Sequence, residues 1–202
     1  MASSGYNRYD LHRYGYQHVL DAQYFIDLER FDSIKLDDKI AEQYKNTTNI
    51  IFVGRRVPNK KAEDLLKIFT YYKKLNPNSK LFLLGGSWSV EKYVNKLQDL
   101  QSKLHLNKDD VIIIDTLSDD ELQSYYKIAD VFLCMSEHEG FCIPLVESMY
   151  FQKPIIAYNS TAIPDTLGGS GILVNHKKYD EIAQIINLIQ TNDNLKNKIK
   201  EK

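Results

Sequence analysis

From residue 49 onward the apolar positions of this chain gather into short unbroken runs: NIIFV at 49–53, KLFLL at 80–84, VIIID at 111–115, DVFLCM at 130–135, PIIAY at 154–158 and GILV at 171–174. A strand with one wet face alternates apolar and polar residues. Runs that are apolar at consecutive positions instead predict strands covered on both faces, as in a parallel sheet. The intervening segments change period. Ala62, Leu65, Leu66, Phe69, Tyr72 and Leu75 recur at helical spacing in 60–75, and Val90, Tyr93, Val94, Leu97, Leu100 and Leu104 do so in 89–104. A capping box, Ser118-Asp119-Asp120-Glu121, opens a third helix through Leu122, Tyr125, Tyr126 and Ile128. Strand and helix alternating in this way predict a right-handed, doubly wound α/β fold with a parallel sheet of about six strands. Such sheets bind ligands outside the carboxyl ends of their strands, where the strand order reverses.

Residues 1–48 lack this rhythm. Five of the 14 tyrosines (Tyr6, Tyr9, Tyr14, Tyr16, Tyr24) fall in the first 24 residues. The segment is expected to be an arm or an interdomain connection ahead of a domain at 49–202, with a short helix in SIKLDDKIAEQY. Composition narrows the function classes. With 26 basic and 27 acidic residues the net charge is −1, so nothing electrostatic points to nucleic acid. Lysine pairs (Lys60-Lys61, Lys73-Lys74, Lys177-Lys178) read first as solvated faces and second as a peripheral contact with an anionic membrane surface. No apolar run approaches the roughly 20 residues that span a bilayer, and MASSGYNRYD has no secretory hydrophobic region. Two cysteines, Cys134 and Cys142, fit a reducing cytoplasm rather than a disulfide framework. The scattered His12, His18, His105, His138 and His176 show no metal-binding spacing, so no metal is expected.

The loops after the strands carry the chemistry. In EGFCIPLVE (139–147), Gly140 permits close backbone approach and Pro144 suits the first turn of a helix. The helix would run from about Pro144 to Phe151 or Gln152. Its free N-terminal amides favour a phosphate at the sheet edge. Glu139, in the loop, and Glu147, in the first helical turn, could each accept from the paired hydroxyls of a sugar. In VGRRVPNKK, Arg55 follows Gly54 and Lys60 opens the next helix, a planar fork and a mobile charge that suit a diphosphate. Taken alone, Arg55, Arg56, Lys60 and Lys61 could equally be a solvated loop. Beside EGFCIPLVE they complete a pocket for a sugar nucleotide.

VGRRVPNKKAEDLL, SEHEGFCIPLVESM and KPIIAYNSTAIPDTLGGSGILV, in that order, together with the lead-in YFIDLERF, resemble the carboxyl-terminal half of retaining glycosyltransferases of family 4, or group 1, over roughly residues 24 to 190. The resemblance implies a Rossmann-like, donor-binding domain, one half of a two-domain GT-B architecture. It implies that Arg55 and Lys60 grip the donor diphosphate and that Glu139 lies by the transferred sugar. The amides of Gly140, Phe141 and Cys142 would meet the same sugar, Glu147 would hold the ribose, and the backbone of Thr116 and Leu117 the nucleobase. The implied reaction moves a hexose from a UDP-sugar or GDP-sugar to an acceptor hydroxyl with retention, without metal, in surface polysaccharide or glycoconjugate synthesis at the cytoplasmic side of a membrane. Departures from the family pattern are Lys61, Asp115 and Cys142 where glycine or a small residue is usual, GGSW in place of a looser loop, and Asp165 in place of glutamate. A cysteine at a helix start can have an acidified thiol or act simply as a small side chain. The acceptor glycan or lipid-linked glycan would be bound by an amino-terminal domain, for which 48 residues are too few, so the chain alone should bind donor and transfer little. A stand-alone nucleotide-sugar-binding module acting with a partner subunit is the alternative, and half of a sugar-nucleotide epimerase a more distant one. A nicotinamide dehydrogenase is disfavoured by the lack of G-x-G-x-x-G after any strand.

Overall fold

A computed structural model describes residues 1–22, 24–32, 37–86 and 91–200. Six parallel strands form one sheet in the order β3-β2-β1-β4-β5-β6: β1 Thr48–Val53, β2 Ser79–Leu84, β3 Val111–Ile114, β4 Val131–Cys134, β5 Ile155–Tyr158 and β6 Ile172–Val174. Each apolar run in the sequence became a strand. Ile50, Ile51 and Phe52 of β1 and Val131, Phe132 and Leu133 of β4 are buried, because helices cover both faces of the sheet.

The helices are α1 Gly5–Arg13, α2 Asp38–Tyr44, α3 Ala62–Leu75, α4 Glu91–Lys103, α5 Asp119–Ile128, α6 Ile143–Tyr150, α7 Ile163–Leu167, α8 Tyr179–Thr191 and α9 Asp193–Lys200. Right-handed crossovers put α3 and α4 on one face and α5 and α6 on the other. In keeping with this, α3 packs on α4 and α8, α2 on α5, and α6 on α7. The capping box on α5 forms as read, Ser118 Oγ accepting from the Glu121 N–H and the Glu121 carboxylate from the Ser118 N–H. Ser89 and Val90 of the stretch 89–104, Ser87 and Trp88 of GGSW, and the start of SIKLDDKIAEQY lie outside the described residues.

Four helices, α1, α7, α8 and α9, went unread, and α8 and α1 did so for different reasons. In α8, Ile182, Ala183, Ile186 and Ile189 do recur at helical spacing and are buried, so the signal was present. Helix α1 buries no residue and is polar all round, so no period marks it; the Ser4 side chain caps it by accepting the Asn7 N–H. Residues 24–32 reach α6 through Phe31, whose ring lies 5.1 Å from that of Tyr150 and 5.4 Å from that of Phe151. Asn49 joins α2 to the sheet: its buried amide donates to the Tyr44 and Ile128 carbonyls, each at 3.1 Å.

Candidate functional site

Strands β1 and β4 are neighbours, and from that pair the chain order runs outward in both directions. This is the crevice expected to receive a ligand. The loops after β1 and β4 are laced together across it. Glu137 N–H donates to the Asn59 carbonyl at 2.8 Å, and Asn59 Nδ2 to the His138 carbonyl at 3.1 Å. Lys60 Nζ meets Glu139 Oε2 at 2.5 Å, with side-chain exposures of 18% and 8%. Two residues that the sequence reading put on separate loops are thus an ion pair nearly out of water, where each neutralises the other.

The two arginines part company. Arg55 is exposed, whereas Arg56 is buried and donates to the Gly85 carbonyl and to Asp115. Arg55 thus stays exposed on the loop after β1, while Arg56 ties together the loops after β1, β2 and β3. Arg56 is therefore no part of a solvated loop, and Asp115 is its partner, a role that the sequence reading missed. The loops approach so closely that a Cβ on Gly85 would stand 2.7 Å from the Gly54 carbonyl oxygen, at a φ of 122°. Thr116 and Leu117 follow Asp115 at the same edge of the sheet, with β2 between their strand and β1. Lys61 adopts a left-handed conformation, φ 54°, which explains why glycine would be natural there. Its ammonium pairs with Glu137 at 3.0 Å, and this contact raises the Lys61 pKa. Lys177, followed by Lys61, holds the Glu137 carboxyl below its usual range.

Helix α6 begins at Ile143, one residue before the expected start, with Cys142 as its left-handed cap and Pro144 in the first turn. Glu147 is consequently in the second turn rather than the first. It is buried and accepts a hydrogen bond from the Tyr126 hydroxyl at 2.8 Å. Burial, then the adjacent Glu147 carboxylate, pushes the Tyr126 hydroxyl well above its ordinary value, so it stays a donor. The Cys142 thiol is not acidified: its hydrogen bond with Cys134 and its burial push it up. Cys134 Sγ, Cys142 Sγ and a Glu139 oxygen lie within 4.8 Å of one another, a soft donor set able in principle to hold a metal ion. A cation there would meet the Lys60 ammonium already paired with that carboxylate.

Of the residues expected to form the site, Gly54, Arg55, Lys60, Glu139, Gly140, Phe141 and Cys142 lie on the two loops that meet across β1 and β4. Glu147 lies one helical turn beneath, and Thr116 and Leu117 stand to the side. Sequence reasoning missed the loop after β5. There Thr161 has a left-handed backbone at φ 44° and bonds both backbone polar groups of Glu139. Its only sequence signal is a threonine two residues before Ile163-Pro164.

The sequence profile of the family described as "Glycosyl transferases group 1" matches residues 33–202. The chain is 27% identical over 177 residues to the capsular polysaccharide biosynthesis glycosyltransferase CapM of Staphylococcus aureus, a match covering 84% of this chain and 45% of that protein. Indeed the chain spans less than half the length of the curated relatives it matches. Among solved structures, the C-terminal domain of the group 1 family glycosyl transferase LpcC from Francisella tularensis superposes with a TM-score of 0.73 at 21% identity, covering 87% of this chain and 93% of that one. HepE from Anabaena, solved in complex with UDP-glucose, superposes with a TM-score of 0.82 at 17% identity, covering 98% of this chain and 56% of that one. At these identities the superpositions establish the fold: a Rossmann-like domain of the GT-B type.

Proposed function

The chain belongs to the group 1 glycosyl transferases, and from that premise we propose that residues 49–202 are the donor-binding domain of a retaining, family 4 hexosyltransferase, with residues 1–48 as its arm or interdomain connection. One observation carries the reading: the Lys60–Glu139 pair at the crevice between β1 and β4, beside the N-terminus of α6. A diphosphate would compete for the Lys60 ammonium, and the freed Glu139 carboxylate would accept from sugar hydroxyls. Arg55, exposed at the same crevice, adds a bidentate donor for the phosphates. The amides of Gly140, Phe141 and Cys142 face the sugar, Glu147 takes the ribose, and the backbone of Thr116 and Leu117 takes the base, with Gly54 leaving room at the phosphates.

In this reaction the bond between the anomeric carbon and the diphosphate breaks, and negative charge builds on the leaving oxygen. Arg55, Lys60 and the α6 N-terminus are placed to stabilise that charge electrostatically. Glu139 positions the sugar; no covalent role is assigned to it. HepE, bound to UDP-glucose, supports a UDP-sugar as the first donor to test, and CapM supports surface polysaccharide synthesis as the setting. The acceptor glycan is held by a second domain, so that residues 1–202 by themselves bind donor and transfer little. Among the described residues no helix is long and apolar enough to cross a membrane; the work is proposed to take place at the cytoplasmic face.

The test is calorimetric titration of the chain with UDP, GDP, ADP and CMP, repeated on Arg55→Ala and Glu147→Ala. One nucleotide should bind saturably. Loss of a charge-assisted hydrogen bond predicts an affinity about tenfold or more weaker in Arg55→Ala. Binding that ignores both substitutions would sink the assignment.

A further inference from the structure

The loop Glu139–Cys142 is fastened by its carbonyls. That of Glu139 accepts from Thr161 Oγ1 at 3.1 Å, and the same hydroxyl oxygen accepts the Glu139 N–H at 2.9 Å. The Gly140 carbonyl accepts from Asn7 Nδ2 at 3.0 Å and Ser3 Oγ at 3.2 Å. The Phe141 carbonyl accepts from Thr166 Oγ1. In a planar trans peptide the next residue's N–H points opposite to the carbonyl. Holding these carbonyls therefore turns the N–H groups of Gly140, Phe141 and Cys142 away from the fasteners. Among the described residues, none of those three N–H groups has a partner within the protein.

Thr161 differs from the other fasteners. It grips both backbone polar groups of one residue, and it does so at φ 44°, where a β-branched side chain sits only under constraint. The adjacent Ser160, on the same loop after β5, holds the segment after β4 further up: its Oγ donates to the Ser136 carbonyl at 2.6 Å. We propose that Thr161 is a positioning residue for the donor sugar: it fixes the Glu139 backbone, and so aims the Glu139 carboxylate and keeps the amides that follow turned outward. This deepens the donor-binding reading and rests on it.

Three variants separate positioning from fold maintenance. Thr161→Gly removes the hydroxyl and relieves the left-handed backbone, so its melting temperature should not fall. Thr161→Val removes the hydroxyl at nearly constant shape, and Thr161→Ser keeps it. Two readouts are taken on the chain: affinity for UDP-glucose against UDP, and the rate at which a thiol reagent labels Cys142, followed by peptide mass. Thr161→Gly and Thr161→Val should lose about tenfold in UDP-glucose affinity with UDP nearly unchanged, and label Cys142 about tenfold faster as the loop opens more often. Thr161→Ser should match wild type in both. A Thr161→Gly chain that labels Cys142 at the wild-type rate, or that loses UDP and UDP-glucose equally, overturns the proposal. If the wild-type chain binds neither probe, the donor-binding reading fails, and the labelling rates alone decide whether Thr161 positions the loop.

Discussion

Lys60 and Glu139 are 79 positions apart in sequence and 2.5 Å apart in space. Removing one partner of a pair this buried leaves a charge with neither water nor counter-ion. Lys60→Met should therefore cost about 3 kcal/mol in urea unfolding, while Lys60→Met/Glu139→Gln should recover most of it. Strictly additive losses would mean that the pair is not coupled. Beneath it, Tyr126→Phe takes a donor from the buried Glu147 carboxylate, for an expected loss of about 1 to 3 kcal/mol. The charges themselves were legible as cationic and acidic residues on the loops that follow apolar strands. Their partners were not: Arg55 and Arg56 are adjacent and identical in type, and only packing against Gly85 and Asp115 decides which one turns inward.

Elements form where local pattern and neighbours agree. The strands and α3 to α6 announced themselves because their apolar periods match the surfaces they bury. Helix α8 shows what one buried stripe contributes. Ile186 is fully buried, and Ile186→Ala should cost about 2 to 5 kcal/mol, read as a lower urea midpoint. The connections are more exacting. Gly85→Ala would drive a Cβ to 2.7 Å from the Gly54 carbonyl at a φ that L side chains avoid. It should destabilise the chain more than an ordinary surface substitution, by more than about 0.5 kcal/mol. It should also weaken nucleotide binding, because the loop carrying Arg55 must shift. A Gly85→Ala chain with wild-type melting and binding would show that these loops are free to separate.

Across the whole molecule, buried tyrosines set the alkaline limit of stability. Burial raises Tyr126 well above its ordinary 10.0. Burial first, then Tyr44 and Glu121, pushes Tyr125 up to about 12, and burial with the Glu63 hydrogen bond raises Tyr93. Above pH 10 the unfolded chain has released protons that the folded chain keeps, so the unfolded state binds fewer and stability falls as pH rises. Tyr126 alone contributes up to about 1.4 kcal/mol per pH unit. The urea midpoint should hold up to about pH 10 and then drop steeply towards about 12; a level midpoint through that range would refute it. At the same scale the sequence by itself determined the doubly wound sheet, its strands and the loops that carry cationic and acidic side chains, because period and composition depend on near neighbours along the chain. The tertiary structure alone decided that Lys60 meets Glu139, that Arg56 is buried while Arg55 is exposed, that the Cys142 thiol is raised rather than acidified, and that Thr161 grips the Glu139 backbone. Each of those depends on segments that fold together from distant parts of the chain, and on burial that makes their hydrogen bonds and charges strong.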